Sequence, residues 1–158
     1  MPITPSSMRA GGALIPPIPG LDQVPYLTNS LMMDVDFLPP HLIVLGGSYI
    51  GLEFAQVYRR FGSEVTVIEL APRLIAREDE DVSSAMTELL KEEGIDVRLD
   101  SKVVRVERQG NCIAVKVEST GKISQVVGTH VLVAIGRRPN TDDLGLDKAG
   151  IATDPRGR

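Results

Sequence analysis

A short apolar strand, a glycine-rich turn and an apolar, helix-compatible segment follow one another in residues 41–55. This order is that of the first βα unit of a dinucleotide-binding fold. Gly46 and Gly51 fit the first and last glycines of the G-x-G-x-x-G fingerprint, whereas Ser48 stands in place of the middle glycine. The feature predicts an α/β fold of the Rossmann type.

Each position of the fingerprint has a physical role. Gly46 permits the sharp turn off the strand, and Gly51 removes a side chain where the helix crosses the strand. Backbone N–H groups at the middle position must approach a pyrophosphate closely. Ser48 leaves less room there than glycine, although its hydroxyl can donate to a phosphate oxygen. The helix N-terminus offers further N–H groups and a partial positive charge to the phosphates.

An acidic residue lies at the end of the next predicted strand. Residues 63–70 form that strand, and Glu69 follows Gly51 by 18 residues. A carboxylate at this point can accept hydrogen bonds from both hydroxyls of an adenosine ribose and repels a 2′-phosphate. The pattern favours NAD(H) over NADP(H). FAD is an alternative ligand, because FAD-binding domains use nearly the same turn and acid. A second alternative is that Glu69 is a solvated loop residue that binds no ligand.

Residues 46–53 resemble the NAD(P)-domain fingerprint of the pyridine nucleotide-disulfide oxidoreductases, the flavoproteins that include dihydrolipoamide dehydrogenase, glutathione reductase and mercuric reductase. Residues 15–20 are similar to the proline-rich segment that leads into that domain. Residues 134–141, followed by 144–146, resemble the motif that closes it. The resemblance spans about residues 12–153 and implies the NAD-binding domain of a larger flavoprotein; the lead-in, with Tyr49 and Ile50, favours the pyridine nucleotide over FAD.

The resemblance also implies roles for single residues. It places Tyr49 over the flavin as a gate to the nicotinamide pocket, and Glu53 near the flavin, paired with a lysine of the FAD domain. Without it, Glu53 is an ordinary first-turn acid favoured by the helix dipole. Because residues 136–140 follow the carboxyl end of a predicted buried strand, where ligands of parallel sheets bind, we expect Gly136 to let the cofactor approach the backbone. Arg137 is expected to face a phosphate, a base or the FAD domain, or to be surface charge. The predicted cofactor contacts are Gly46, Gly47, Ser48, Tyr49, Ile50, Gly51, Glu53, Glu69, Leu70, Gly136 and Arg137.

In the complete protein, the resemblance implies hydride transfer from NADH to FAD and onward to a cysteine pair or another acceptor. Cys112 is the single cysteine of this chain, so the family's redox-active pair is absent from it. We expect the chain alone to bind NAD(H) but no FAD, and to contain no catalytic residue. Its expected partners are the dinucleotide and the FAD and interface domains of a homodimeric parent. A free-standing dinucleotide-binding or sensor module is the alternative.

Composition argues against several other classes of protein. The 158 residues suffice for one domain, and a net charge of −4 without a Lys/Arg block disfavours a nucleic-acid surface. No apolar run reaches the ~18 residues of a membrane span, and the N-terminus lacks the apolar core of a signal peptide. The lone cysteine then predicts a cytoplasmic protein. His41 and His130 precede apolar runs without a second ligand nearby, so we predict no metal site.

Hydrophobic periodicity predicts the helices and the limits of the domain. Residues 1–12 are expected to be disordered or vector-derived, 13–153 to form the domain, and 154–158 to be a tail. A short helix is predicted at 30–37, and a loop at 71–81 in which Arg73 and Arg77 are solvated or, as the alternative, meet phosphates. The first full helix, 49–61, is expected to bury Ile50, Phe54, Tyr58 and Phe61, and the second, from about 79–81 to 93, to bury Val82, Met86, Leu89 and Leu90.

Alternation of apolar and polar residues predicts a change of architecture after a strand at 95–99. Three alternating stretches separated by glycine-containing turns indicate an antiparallel meander of three strands. An unbroken apolar run at 130–135 then returns to the parallel sheet. The predicted fold is a Rossmann-type parallel sheet with helices on its faces and a meander as a crossover. The meander strands are 102–107, 112–118 and 122–127.

Overall fold

The computed structural model describes residues 11–140, 144–146, 148–150 and 152. Predictions for residues 1–10, 141 and 153–158 lie outside the described residues. The strands are β1 (Gly12–Ala13), β2 (Leu27–Thr28), β3 (His41–Leu45), β4 (Glu64–Ile68), β5 (Asp96–Arg98), β6 (Lys102–Gln109), β7 (Cys112–Ser119), β8 (Lys122–Gly128), β9 (His130–Val133) and β10 (Arg137–Arg138). The α-helices are α1 (Tyr49–Arg60) and α2 (Glu80–Glu92), and 3-10 helices span Leu21–Gln23 and Leu31–Asp34.

A parallel sheet of five strands forms the centre of the fold, in the order β2-β9-β3-β4-β5. In the central strand β3, Val44 pairs with Val67 of β4 on one side and with Leu132 of β9 on the other. These strands read as nearly continuous apolar runs because both faces of a parallel sheet are buried. The sheet confirms the predicted Rossmann-type fold.

The meander of β6, β7 and β8 is antiparallel and lies between β5 and β9 in the chain. Gln109 pairs with Cys112 and Ser119 with Lys122, so each hairpin has a two-residue turn. Thr120 and Gly121 both have positive φ, which is the conformation of a type I′ hairpin turn. The predicted meander crossover is confirmed, with strands slightly longer than predicted.

Two apolar cores cover the two faces of the parallel sheet. Alternate residues of β3 divide between them: Val44 faces the core that contains side chains of α1 and α2, and Ile43 faces the core that contains the meander. Each fully buried aliphatic side chain contributes about 1.5–3 kcal/mol by leaving water. Together the two cores hold the carboxyl edge of the sheet in place between helices and meander.

The inner face of α1 differs from the prediction. Phe61 lies just beyond the last helical residue and is 69% exposed, and Ile50 and Phe54 are only partly buried. The residues that bury completely on the sheet are Gly51, Leu52, Ala55 and Tyr58. Small residues allow the helix to approach the sheet closely, so the contact is centred on Gly51, as the fingerprint predicts, and on Ala55. Of the four large side chains expected on this face, Tyr58 is the one that is buried.

The inner face of α2 also differs from the prediction. Val82 and Leu89 are 46% and 43% exposed, whereas Leu90 is fully buried and Met86 partly so. Ser83 is buried in line with them, because its hydroxyl donates to the backbone oxygen of Leu74 at 2.6 Å. The buried face therefore runs through 83, 86 and 90, so it keeps Met86 and Leu90 of the predicted face and replaces Val82 and Leu89 with Ser83.

Smaller departures concern the connecting segments. The helix expected at 30–37 is the single 3-10 turn Leu31–Asp34. The segment 71–79 is a connection as expected, but it buries Leu74 and Ile75 in the helix-side core. Cys112 opens β7 and is half-buried. Within the described part of the chain, no helix has the length and apolar character needed to cross a membrane.

Candidate functional site

The glycine turn lies where the carboxyl ends of β3, β4 and β9 meet. The Gly46 N–H donates to the oxygen of Ile68 at 2.9 Å, and the Ala134 N–H donates to the oxygen of Leu45 at 2.8 Å. Gly46 has a φ of 109°, and a Cβ there would lie 2.5 Å from the Ala134 oxygen. Only glycine fits this turn, as the fingerprint predicts.

Gly51 sets the distance between the turn and the first helix. A Cβ on Gly51 would lie 2.3 Å from the oxygen of Gly46 and 3.2 Å from Cγ1 of Val44. Both neighbours are fixed, the first as backbone and the second as a fully buried side chain. Gly51 therefore lets α1 begin directly on the turn, at the carboxyl edge of the sheet.

The N-terminus of α1 points its first backbone donors at this edge. Ser48 is the N-cap residue, with extended φ and ψ of −105° and 177°, and among the described residues its side chain makes no capping hydrogen bond. The N–H groups of a helix's first turn have no partner inside the helix. With the exposed Ser48 hydroxyl, they form a set of donors suited to an anion.

Glu69 is held directly on the glycine turn. It lies one residue beyond β4, and its carboxylate accepts hydrogen bonds from the N–H of Gly47 at 2.5 Å and from the N–H of Ala71 at 2.7 Å. Each carboxylate oxygen has a second lone pair, so both can accept a further donor. A fixed carboxylate beside a helix N-terminus can accept the hydroxyls of a ribose whose phosphate lies at that N-terminus.

Gly47 has a packing role that the fingerprint does not express. A Cβ on Gly47 would lie 2.5 Å from Cδ2 of Leu74 and 3.1 Å from Cβ of Glu69. The oxygen of Gly47 accepts a hydrogen bond from the N–H of Ile75 at 2.8 Å, and its own N–H donates to Glu69. The segment that follows β4 thus folds over the turn and engages both backbone groups of Gly47.

Two clefts flank the turn. The first, of about 390 Å³, is mostly apolar and includes Leu70, Val103 and Ile135. The second, of about 440 Å³, opens beside α1. The clefts share Gly47, Ser48, Glu69, Ala134 and Ile135, so an extended ligand can lie in both while it crosses the turn. The second cleft also includes Tyr49, Ile50, Arg73, Arg77, Gly136 and Arg137.

The sequence profile described as pyridine nucleotide-disulphide oxidoreductase matches residues 10–158. The chain belongs to this family.

Relatives and solved structures agree with the assignment. The chain is 42% identical over 142 residues to a mercuric reductase of Streptomyces lividans, covering 90% of this chain and 30% of the relative. It is 39% identical over 154 residues to a dihydrolipoamide dehydrogenase of Chaetomium thermophilum, covering 94% and 31%. The structure of the HOCl-induced flavoprotein disulfide reductase RclA from Escherichia coli superposes with a TM-score of 0.83 at 36% identity, covering 94% and 33%. The chain thus spans about a third of the length of these relatives.

The oxidoreductase fold brings most of the predicted contact residues together around the turn. Leu70 is exposed at the first cleft, and Tyr49, Ile50, Gly136 and Arg137 lie at the second. The predicted residues grouped there with them are Gly46, Gly47, Ser48, Gly51 and Glu69.

Glu53 lies apart from this group. It is exposed one turn further along α1, in a third cleft of about 470 Å³ that also includes Leu31, Asp34 and Phe54. The cleft joins the start of α1 to the 3-10 turn at Leu31–Asp34. The pairing of Glu53 with a lysine of the FAD domain stays a prediction.

Arg137 joins the second cleft to the start of the domain. It belongs to β10, which pairs antiparallel with β1, and its guanidinium donates to the backbone oxygen of Gly11 at 2.9 Å. The N–H of Leu14 donates to the oxygen of Gly136 at 3.0 Å. The lead-in segment and the closing loop thus form one ribbon at the cleft.

Sequence reasoning missed the contact between Glu78 and Tyr49. The Tyr49 hydroxyl donates to the carboxylate of Glu78, and this hydrogen bond raises the pKa of the Tyr49 phenol above its ordinary value. Arg73 and Arg77 line the second cleft, so a phosphate contact and a solvated position both stay predictions, and Arg73 donates to the oxygen of Ala76 at 3.1 Å. The charge run near residue 78 reads as a helix start, so it gave no signal of a contact with Tyr49.

Proposed function

We propose that this chain is the NAD(H)-binding domain of an FAD-dependent pyridine nucleotide-disulfide oxidoreductase. The observation that carries the proposal is the Glu69 carboxylate, held by the Gly47 N–H beside the uncapped start of α1. N–H donors suited to a phosphate and a carboxylate suited to a ribose thus meet at the same turn. A dinucleotide joins those two groups in one molecule.

The clefts suggest how the cofactor lies. Its pyrophosphate would meet Ser48 and the first N–H groups of α1, and its adenosine ribose would meet Glu69. The adenine would use the apolar first cleft near Leu70, and the nicotinamide half would lie in the second, between Tyr49 and Gly136. When bound, the nicotinamide supplies the hydride. The chain's own residues bind and orient it.

In the complete protein, we propose that FAD accepts this hydride. The surface around Glu53 is suited to contact the FAD domain, because it combines a carboxylate with the exposed apolar side chains of Leu31 and Met33. The redox-active cysteine pair, the interface domain and a homodimeric assembly would belong to the rest of that protein. We also propose that the complete protein is cytoplasmic.

We expect NAD(H) to bind the chain more tightly than NADP(H), because the Glu69 carboxylate would meet the 2′ position of the ribose. Replacing Glu69 with alanine should narrow this preference by about 1.5–3 kcal/mol at most, the value of a hydrogen bond to a charged group. Titration calorimetry with NADH and NADPH measures both affinities. Equal or tighter binding of NADPH to the unmodified chain contradicts the NAD(H) assignment.

We expect Ser48→Gly to change the NADH affinity by less than about tenfold, or ~1.4 kcal/mol. The exposed Ser48 hydroxyl can donate to a phosphate oxygen, which offsets the closer approach that glycine would allow. The same titration measures the change. A much larger gain in affinity would mean that the Ser48 side chain holds the pyrophosphate away from the turn, and the fingerprint would then be unsuited to a dinucleotide.

A further inference from the structure

A single side-chain hydrogen bond joins the start of α1 to the segment that follows β4. Tyr49, the first residue of α1, is half-exposed, and its hydroxyl donates to the carboxylate of Glu78. Tyr49 lines the second cleft, and so does Arg77, the residue next to Glu78. No part of the glycine fingerprint requires this bond.

Glu78 is attached to a rigid base. Its N–H donates to the oxygen of Ile75 at 2.8 Å, and the N–H of Ile75 donates to the oxygen of Gly47 at 2.8 Å. Ile75 is 5% exposed and has a φ of 39°, a left-handed conformation that is unfavourable for a β-branched residue. Such a conformation persists only where the surrounding structure fixes it, so the segment holds Glu78 at a defined distance from the turn.

The hydrogen bond determines on which side of the cleft the Tyr49 ring lies. It holds the ring toward the 75–78 segment, and the cleft of about 440 Å³ stays open between that segment and the wall of Gly136 and Arg137. Part of the cleft lining is apolar and includes Ile135, which is 42% exposed. A half-exposed aromatic ring without a polar partner would gain by covering this surface, because burial of apolar area is favourable.

We propose that Glu78 is a positioning residue that holds the Tyr49 ring against the 75–78 segment and so keeps the second cleft open for the nicotinamide half of the dinucleotide. This inference rests on the proposed NAD(H) function. It concerns only one half of the ligand, because Tyr49 lines the second cleft and is not among the residues of the first.

The test compares two ligands on four forms of the chain. NADH requires both clefts, whereas ADP-ribose contains the pyrophosphate and adenosine but no nicotinamide. Glu78→Ala should weaken NADH binding by about threefold to tenfold, the effect of one net hydrogen bond, and leave ADP-ribose within about twofold. Glu78→Gln should bind both like the unmodified chain, since its amide oxygen can still accept the Tyr49 hydroxyl. Glu80→Ala removes a nearby exposed carboxylate and is the charge control.

A measurement without ligand tests the hydrogen bond itself. The bond raises the pKa of Tyr49, so ultraviolet titration of the phenols should show that this pKa falls toward its ordinary value in Glu78→Ala. Tyr49→Phe identifies which transition belongs to Tyr49. In the Tyr49→Phe background, Glu78→Ala should have no further effect on NADH affinity, because the hydroxyl that Glu78 holds is already absent.

Three results would overturn the inference. The first is NADH binding to Glu78→Ala that equals that of the unmodified chain. The second is an equal loss for NADH and ADP-ribose, which would assign Glu78 to the glycine turn as a whole. The third is a phenol titration that shifts as expected while neither ligand binds to any form of the chain. That result would reject the proposed function and support only the hydrogen bond between Tyr49 and Glu78.

Discussion

Replacing Gly51 with alanine is expected to destabilise the chain by about 1–3 kcal/mol, the usual cost of forcing a methyl group into a packed site. Helix propensity alone predicts the opposite, a gain of about 1 kcal/mol for alanine over glycine inside a helix. The structure decides the sign, because the new Cβ would lie 2.3 Å from the backbone oxygen of Gly46. Urea unfolding followed by far-ultraviolet circular dichroism measures the change.

The same substitution should weaken NADH binding by at least about tenfold, or ~1.4 kcal/mol. Relief of the contact requires α1 to move away from Gly46, and the N–H groups proposed to bind the pyrophosphate move with it. Gly12→Ala is the matched control, since its Cβ would approach nothing closer than the Asn140 side chain at 3.4 Å. If the Gly51→Ala chain is as stable as the unmodified one, α1 can move away from the glycine turn without a cost in stability.

The strands of the parallel sheet could be predicted from sequence because each is defined by a local pattern. β3 and β9 are apolar runs that begin at His41 and His130, and both faces of each are buried. The hairpin turns of the meander carry glycine where positive φ is needed. Such signals depend on a few adjacent residues, so they can be recognised without knowledge of the tertiary structure.

The buried faces of the helices were predicted less well, for a physical reason. Periodicity finds the stripe with the largest apolar side chains, but a helix packs closest where its side chains are small. In α1 the contact centres on Gly51 and Ala55, and in α2 it includes Ser83, whose hydroxyl is satisfied by Leu74. Gly51 adds nothing to an apolar stripe and is predicted by the fingerprint instead, whereas the polar Ser83 is predicted by neither pattern.

The candidate site shows the same division between local and distant contacts. Gly46, Gly51 and Glu69 follow from the spacing of one strand–turn–helix–strand unit, and the structure brings them together. The contacts of Gly47 with Leu74 and of Tyr49 with Glu78 join residues far apart in sequence. Whether they meet depends on the path of the segment between β4 and α2, which has no periodic pattern to reveal it.

Replacing Leu74 with alanine is expected to cost about 2–5 kcal/mol of stability, as for other fully buried leucines. Leu89→Ala is the matched control, because Leu89 is 43% exposed on α2 and its truncation should cost about 0.5 kcal/mol. Urea unfolding of both variants measures the difference. Equal losses would contradict the burial of Leu74 beneath the glycine turn.

The pair of Leu74 and Gly47 allows a sharper test. Gly47→Ala alone should destabilise the chain by about 1–3 kcal/mol, since its Cβ would lie 2.5 Å from Cδ2 of Leu74. Leu74→Ala removes that atom and leaves Cβ and Cγ of Glu69, each at 3.1 Å, as the remaining close contacts. The double variant should therefore lose less stability than the sum of the single variants, by about 0.5–3 kcal/mol. If the two losses of stability add exactly, the contact with Leu74 is not the reason that position 47 needs glycine. The close contact with Glu69 would then be the reason.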